Sequence, residues 1–130
     1  MNVELTIAGL SCATLALGHW FVGRRVLPGL RSERMPSSPF GPPSMTLGMV
    51  RFTWHIVTVV LVAFAILLIT LAWVGDDDPK TLLLRWFAAF WLVATVTVFW
   101  VARRRPRNLL RLPVPVLFIV IAVMCWTAST

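Results

Sequence analysis

Two histidines, His19 and His55, are the residues whose type and placement could do chemistry in this chain. Each lies in an apolar run beside a tryptophan, as His19–Trp20 and Trp54–His55. His19 stands five residues before Arg24, and His55 stands four residues after Arg51. At about 1.5 Å per residue, both rings fall one to one and a half helical turns inside the arginine-bearing end of their run. If the two runs form neighbouring helices, the imidazoles meet at one depth. Ionisable groups inside a membrane span are costly and face a protein interior or a wet cavity. Three chemistries are open to such a pair. Each ring can hydrogen-bond a backbone carbonyl, a lipid phosphate or a hydroxyl such as that of Thr58. The pair can bind a metal or ligate a haem b between helices, with Arg24, Arg25 or Arg51 near the propionates. Alternatively, His19, His55 and Arg51 can hold an anionic lipid, a quinone or a small substrate.

Other reactive patterns are missing from the sequence. It holds no Ser/His/Asp set, no H-E-x-x-H, no Walker loop and no C-x-x-C. An enzyme is therefore not expected. No acidic residue lies near the middle of an apolar run, since Glu4 sits at an outer edge. A proton-coupled exporter would be expected to carry one. Similarity to small four-helix drug exporters extends to length alone, so their function is not carried over. Cys12 and Cys125 lie in the first and last runs without metal-ligand spacing. They read as small apolar side chains in a packed interface, with a cross-link between the two runs as the alternative.

The elements that must position the histidines are long apolar stretches, about 3–22, 52–74, 82–102 and 112–130. Each is near the roughly 20 residues a helix needs to cross the hydrocarbon layer. The composition agrees, with 58% hydrophobic and 13% charged residues in 130, far from the roughly 25% charge of a soluble domain. The expected fold is all-α: one transmembrane domain over 1–130, a bundle of four transmembrane helices with a proline-rich cytoplasmic loop over 23–48. The first run is expected to be retained, because a signal peptide carries its positive charge ahead of the apolar core, whereas Glu4 precedes this one. No prenylation box or myristoylation glycine marks either end.

Charge sets the expected orientation. Arg24, Arg25, Arg31, Arg34 and Arg51 fall between the first two runs, and Arg103, Arg104, Arg105, Arg107 and Arg111 between the last two. The middle gap carries Asp76, Asp77 and Asp78, with Lys80 and Arg85 beyond. Cationic residues near helix ends mark the cytoplasmic side, which leaves both termini extracytoplasmic. The net charge of +7 flanks the apolar runs, so its expected partners are anionic headgroups, at Arg24, Arg25, Arg103, Arg104 and Arg105, and not nucleic acid. The preference for arginine over lysine is associated with GC-rich bacterial genomes, and the expected location is a bacterial inner membrane. Trp20, Trp54, Trp73, Trp86, Trp100 and Trp126 fall near run ends, where indoles favour the interface. Trp91 is deeper and should pack between helices.

Local signals place individual faces. Ala8, Cys12 and Ala16 share a stripe with His19 and Gly23 at about 100° per residue, with Gly9 and Ala13 one position along. Small residues on such a stripe let helix backbones approach closely. The density of prolines at 28, 36, 39, 42 and 43 favours an extended linker between the first two runs. Asp78 and Pro79 suit a helix start, and a calcium or magnesium site at the three aspartates is the alternative.

The H-W…R-x-x-W-H arrangement of His19–Trp20 and Arg51, Trp54, His55 resembles that of small four-helix bacterial inner-membrane proteins of unknown function. The resemblance covers the first two runs and their loop and implies a fold without an activity. The function expected from the residues is that of a non-enzymatic integral membrane protein. It would serve as an accessory subunit or assembly factor within a larger membrane complex or homo-oligomer. The rivals are a haem b, metal, quinone or lipid-binding protein using His19 and His55, and a small oligomeric transporter.

Overall fold

The computed structural model describes residues 1–36, 41–74, 78–102 and 114–130. Among them the chain is helical, without a strand. The helices are α1 (Val3–Val26), α2 (Pro43–Leu71), α3 (Asp78–Ala102) and α4 (Val114–Thr127), with short 3-10 turns at Leu27–Gly29 and Ser32–Arg34. Three of the helices, α1 to α3, are long and apolar enough to cross a membrane. The fourth departs from the expected span over 112–130. It has 14 residues, about 21 Å of helix against a hydrocarbon layer of about 30 Å.

Capping explains where the helices begin and end. The Asn2 side chain accepts a hydrogen bond from the Leu5 amide at 3.0 Å, satisfying one donor left open at the start of α1. Arg24 and Arg25 occupy its last turn, where cations complement the helix dipole. Helix α2 starts at Pro43, well before the expected 52, so residues 43–48 are helix rather than linker. Proline is tolerated in a first turn, where its missing N–H has no intrahelical partner to lose. At 29 residues α2 is about 44 Å long, more than a hydrocarbon layer of about 30 Å requires. In the first turn of α2 the Thr46 hydroxyl donates to the Pro36 carbonyl at 3.2 Å. At the opposite end the Lys80 ammonium donates to the Val74 carbonyl at 2.9 Å and is buried there. Asp78 is the first residue of α3. Asp76, Asp77, Arg103, Arg104, Arg105, Arg107 and Arg111 lie outside the described residues, as do the proposed contacts of those arginines with lipid.

Helix α1 is the hub. It packs against α2 on one side and α4 on the other, and α4 packs against α3. The α1–α2 pair is antiparallel: the Asn2 amide donates to the Ala72 carbonyl at 2.8 Å at one end, and the Trp54 indole donates to the His19 carbonyl at 3.1 Å near the other. Ala8, Cys12 and Ala16 are buried in the shared core with Leu61, Ala65 and Leu68 of α2 and Ile121, Ala122 and Cys125 of α4. Both cysteines are free thiols. Phe64 of α2 reaches α3 edge-on, with its ring 4.9 Å from Phe87 and 6.1 Å from Trp91. Trp91 is 2% exposed and meets Phe118 of α4 at 4.9 Å, so one aromatic cluster ties three helices together.

Hydroxyls within the helices are satisfied locally. Ser11, Thr14, Thr58, Thr70, Thr95, Thr97 and Thr127 each donate to the carbonyl four residues back, at 2.8–3.1 Å. That is how a polar side chain is accommodated in hydrocarbon without a partner helix. Only one buried side-chain polar atom among the described residues has no hydrogen bond, the indole nitrogen of Trp91.

Candidate functional site at the arginine-bearing end of the α1–α2 seam

His19 sits on the stripe of α1 that faces α2, and its ring is half-buried there. It lies flat on the Trp54 indole, with ring centroids 4.2 Å apart and planes 15° from parallel. Its Nδ1 is 2.8 Å from the Thr58 hydroxyl oxygen. Trp54 and Thr58 are four residues apart on α2, so they occupy one face and grip the ring together. The Thr58 hydroxyl has one proton, which it donates to the Trp54 carbonyl at 3.1 Å. The same hydroxyl oxygen is thus shared between the His19 ring and the Trp54 carbonyl. Stack, hydroxyl and indole–carbonyl bond together fix the orientation of the His19 ring.

Close approach of the helices at this level depends on Gly23. A methyl group there would lie 2.3 Å from the Trp54 indole nitrogen and 2.8 Å from its Cδ1. Real side chains do not tolerate such contacts, so Trp54 would have to leave its place under His19. Gly23→Ala is expected to lower stability by about 1–3 kcal/mol, the usual effect of overpacking a well-filled site. Thermal or denaturant unfolding in detergent checks it. The Gly23→Ala, Trp54→Ala double variant should lose less than the sum of its parts, because removing the indole removes the clash.

Beside the gripped ring is a cavity of about 330 Å³ whose walls include Trp20, Gly23, Arg24, Trp54, His55 and Thr58. His55 is exposed and contributes to this wall, whereas His19 stands behind it, held by two of the wall residues. The neighbours of the His19 ring are therefore Trp54 and Thr58, one position before and three after His55. Arg51 is exposed and lies outside the cavity wall. Arg24 takes its place there, with the guanidinium carbon 4.8 Å from the centre of the Trp20 ring, a cation–π contact.

Sequence reasoning placed Trp54 with the interfacial tryptophans, and the structure puts it inside the helix seam. It was missed because position along a span gives depth, while the choice between lipid and a neighbouring helix depends on rotation about the helix axis. One signal could have found it: Trp54 and Thr58 share a face, and Gly23 on α1 leaves room for a large ring opposite. Among the described residues no group of three His, Cys, Asp or Glu side chains could hold a metal ion. No family model, curated protein or solved structure matches the chain.

Proposed function

We propose that this chain is a non-enzymatic integral membrane protein, an accessory subunit or assembly factor that acts by helix packing. The observation that carries the reading is the unequal use of helix faces. On α3, Leu84, Phe87, Ala88, Trp91 and Thr95 form a buried stripe, while Trp86, Phe90, Val93 and Val96 are 52–69% exposed on the rest of the helix. On α2 only Leu61, Ala65, Leu68 and Leu47 are buried within the helix. Apolar faces this wide suit lipid and the helices of a neighbouring subunit. The cell inner membrane is the proposed location, with α4 completing a four-helix bundle and both termini extracytoplasmic, as the arginines of the α1–α2 connection favour. An alkaline phosphatase fusion after Thr130 is expected to be active and one inserted after Pro36 inactive. The reverse pattern would invert the proposed orientation.

Purification in mild detergent, with mass measurement and identification of co-purifying proteins, tests the accessory role. A stoichiometric membrane partner or a defined homo-oligomer is the expected result. A monomer that recovers no partner from crosslinked membranes would sink it.

The fixed orientation of the His19 ring supports a second reading, a haem-binding protein. A ring whose Nδ1 is bonded to a neighbour presents its other nitrogen in a set direction. A Soret band that vanishes in His19→Ala would establish it, and a colourless protein would dispose of it.

A further inference from the structure

The cavity beside His19 does not end at its apolar lower rim. A second depression, about 550 Å³, runs down the lipid-facing side of the α1–α2 seam. Trp20 and Thr58 line both, so the two abut. The lower groove is floored by the small side chains Ala13 and Ala16 of α1 and flanked by Val62, Ile66 and Ile69 of α2. Thr58 is its only hydroxyl-bearing residue, and that hydroxyl is already bonded within the seam. From Trp20 to Ala13 the groove follows about 10 Å of α1, and from Thr58 to Ile69 about 16 Å of α2. Half of a 30 Å hydrocarbon layer is about 15 Å. The groove thus runs from the interface to about the middle of the membrane, the depth of one leaflet.

We propose that the two depressions form a single binding site for an anionic glycerophospholipid. The phosphate occupies the upper cavity, against the Arg24 guanidinium and the His55 imidazole. One acyl chain lies in the groove below. Chemistry separates the two halves in the way such a lipid requires. The upper wall offers a cation and an imidazole with no carboxylate in the lining, and Arg25 is the next residue on the chain. The lower wall offers aliphatic surface and one indole. Trp20 stands at the junction, which is where interfacial indoles are favoured and where its ring already carries Arg24. His19, Trp54 and Thr58 form the rigid back of the site, so the wall is in place before the lipid arrives. The proposal rests on the membrane placement of α1 and α2 and is independent of the accessory role.

Native mass spectrometry of the full chain in detergent tests it, with three probes. These are a phosphatidylglycerol and a phosphatidylcholine with the same chains, and glycerol 3-phosphate. Phosphatidylglycerol is expected to be retained preferentially. Arg24→Gln should weaken it about fivefold, the effect of one interfacial charge. Arg24→Gln with His55→Gln should weaken it further. Arg25→Gln, a neighbouring exposed charge outside the wall, should change it less than Arg24→Gln. Ile66→Trp, at an exposed position, should fill the groove and reduce retention with the headgroup site intact.

Unchanged melting of the exposed-site variants keeps loss of fold apart from loss of binding. Equal retention of the two phospholipids would reduce the site to ordinary boundary lipid and overturn the proposal. So would equal losses in Arg24→Gln and Arg25→Gln. Competition by glycerol 3-phosphate with undiminished retention in Ile66→Trp would make it a free-phosphate site and overturn the lipid assignment. Each of these results leaves the subunit reading standing, and a missing partner complex leaves the lipid site standing.

Discussion

Replacing Trp91 with alanine is expected to lower stability by about 3–5 kcal/mol, the usual range for deleting a buried tryptophan. The side chain is 2% exposed and touches rings from three directions, Phe64 at 6.1 Å, Phe90 at 5.3 Å and Phe118 at 4.9 Å. In a bilayer the main loss is packing, because lipid tails are as apolar as the core they border. Dispersion contacts abandoned around a void are not recovered unless the neighbours collapse into it. The cluster also links α2, α3 and α4, so the loss is felt by three helices. Denaturation in mixed detergent, followed by loss of helical circular dichroism, measures it. Trp91→Phe is the informative partner. It keeps most of the aromatic surface and deletes the indole N–H that has no hydrogen-bond partner among the described residues. Its cost is expected to be about 1–3 kcal/mol, below that of the alanine variant, because fewer buried atoms are removed. If Trp91→Ala were no more harmful than Trp86→Ala, at a site 69% exposed, the aromatic cluster would not be a core.

Gly9→Leu is expected to separate α1 from α2. A Cβ at Gly9 would lie 2.6 Å from Ile69 Cγ1 and 3.2 Å from both the Ala65 carbonyl oxygen and the Ile69 amide nitrogen. The isoleucine side chain can turn away. The two backbone atoms can retreat only if the helices part. Gly9→Ala, with one added carbon, should cost about 1–3 kcal/mol. Leucine places more atoms in the same gap and should abolish the native seam, including the His19–Trp54 stack at its far end. Gly18 supplies the internal control. It lies on the same helix, and a Cβ there would meet nothing within 4 Å. Gly18→Ala should leave stability unchanged or raise it slightly, since alanine is the better helix former. Equal losses at the two glycines would point to helix propensity and away from close approach.

The pattern behind these expectations was partly legible in the chain. Ala8, Cys12, Ala16, His19 and Gly23 share a stripe by spacing alone, and four of the five are buried with His19 half-buried. A 3.6-residue period survives any choice of neighbour, so it can be read without knowing the partner. Trp91 stood apart from the other tryptophans for the same kind of reason, its distance from the run ends. The extent of α2 was not legible. Proline density near 36–43 suggested an extended linker, yet a proline in a first turn is compatible with a helix that continues for seven turns. At its C-terminal end α4 stops at Thr127, short of the expected 130, although apolar character alone does not mark that stop. Its last carbonyls are taken by the hydroxyls of Thr127, Ser129 and Thr130 in closing turns.

The candidate site divides along the same line. Sequence by itself determined that the chain is helical and apolar enough for a membrane, that two histidines lie near the arginine-bearing ends of their helices, and which face of α1 is small. These follow from properties that each residue carries alone: hydropathy, charge and angular spacing. Only the tertiary structure decided that His19 pairs with Trp54 and Thr58, that His55 turns to an adjoining cavity with Arg24, and that Arg51 stands outside it. Those outcomes depend on how far each helix is rotated about its axis and how closely Gly9 and Gly23 let the backbones approach. Rotation by one residue is about 100°, enough to exchange a partner helix for lipid, and hydropathy along the chain is nearly blind to it.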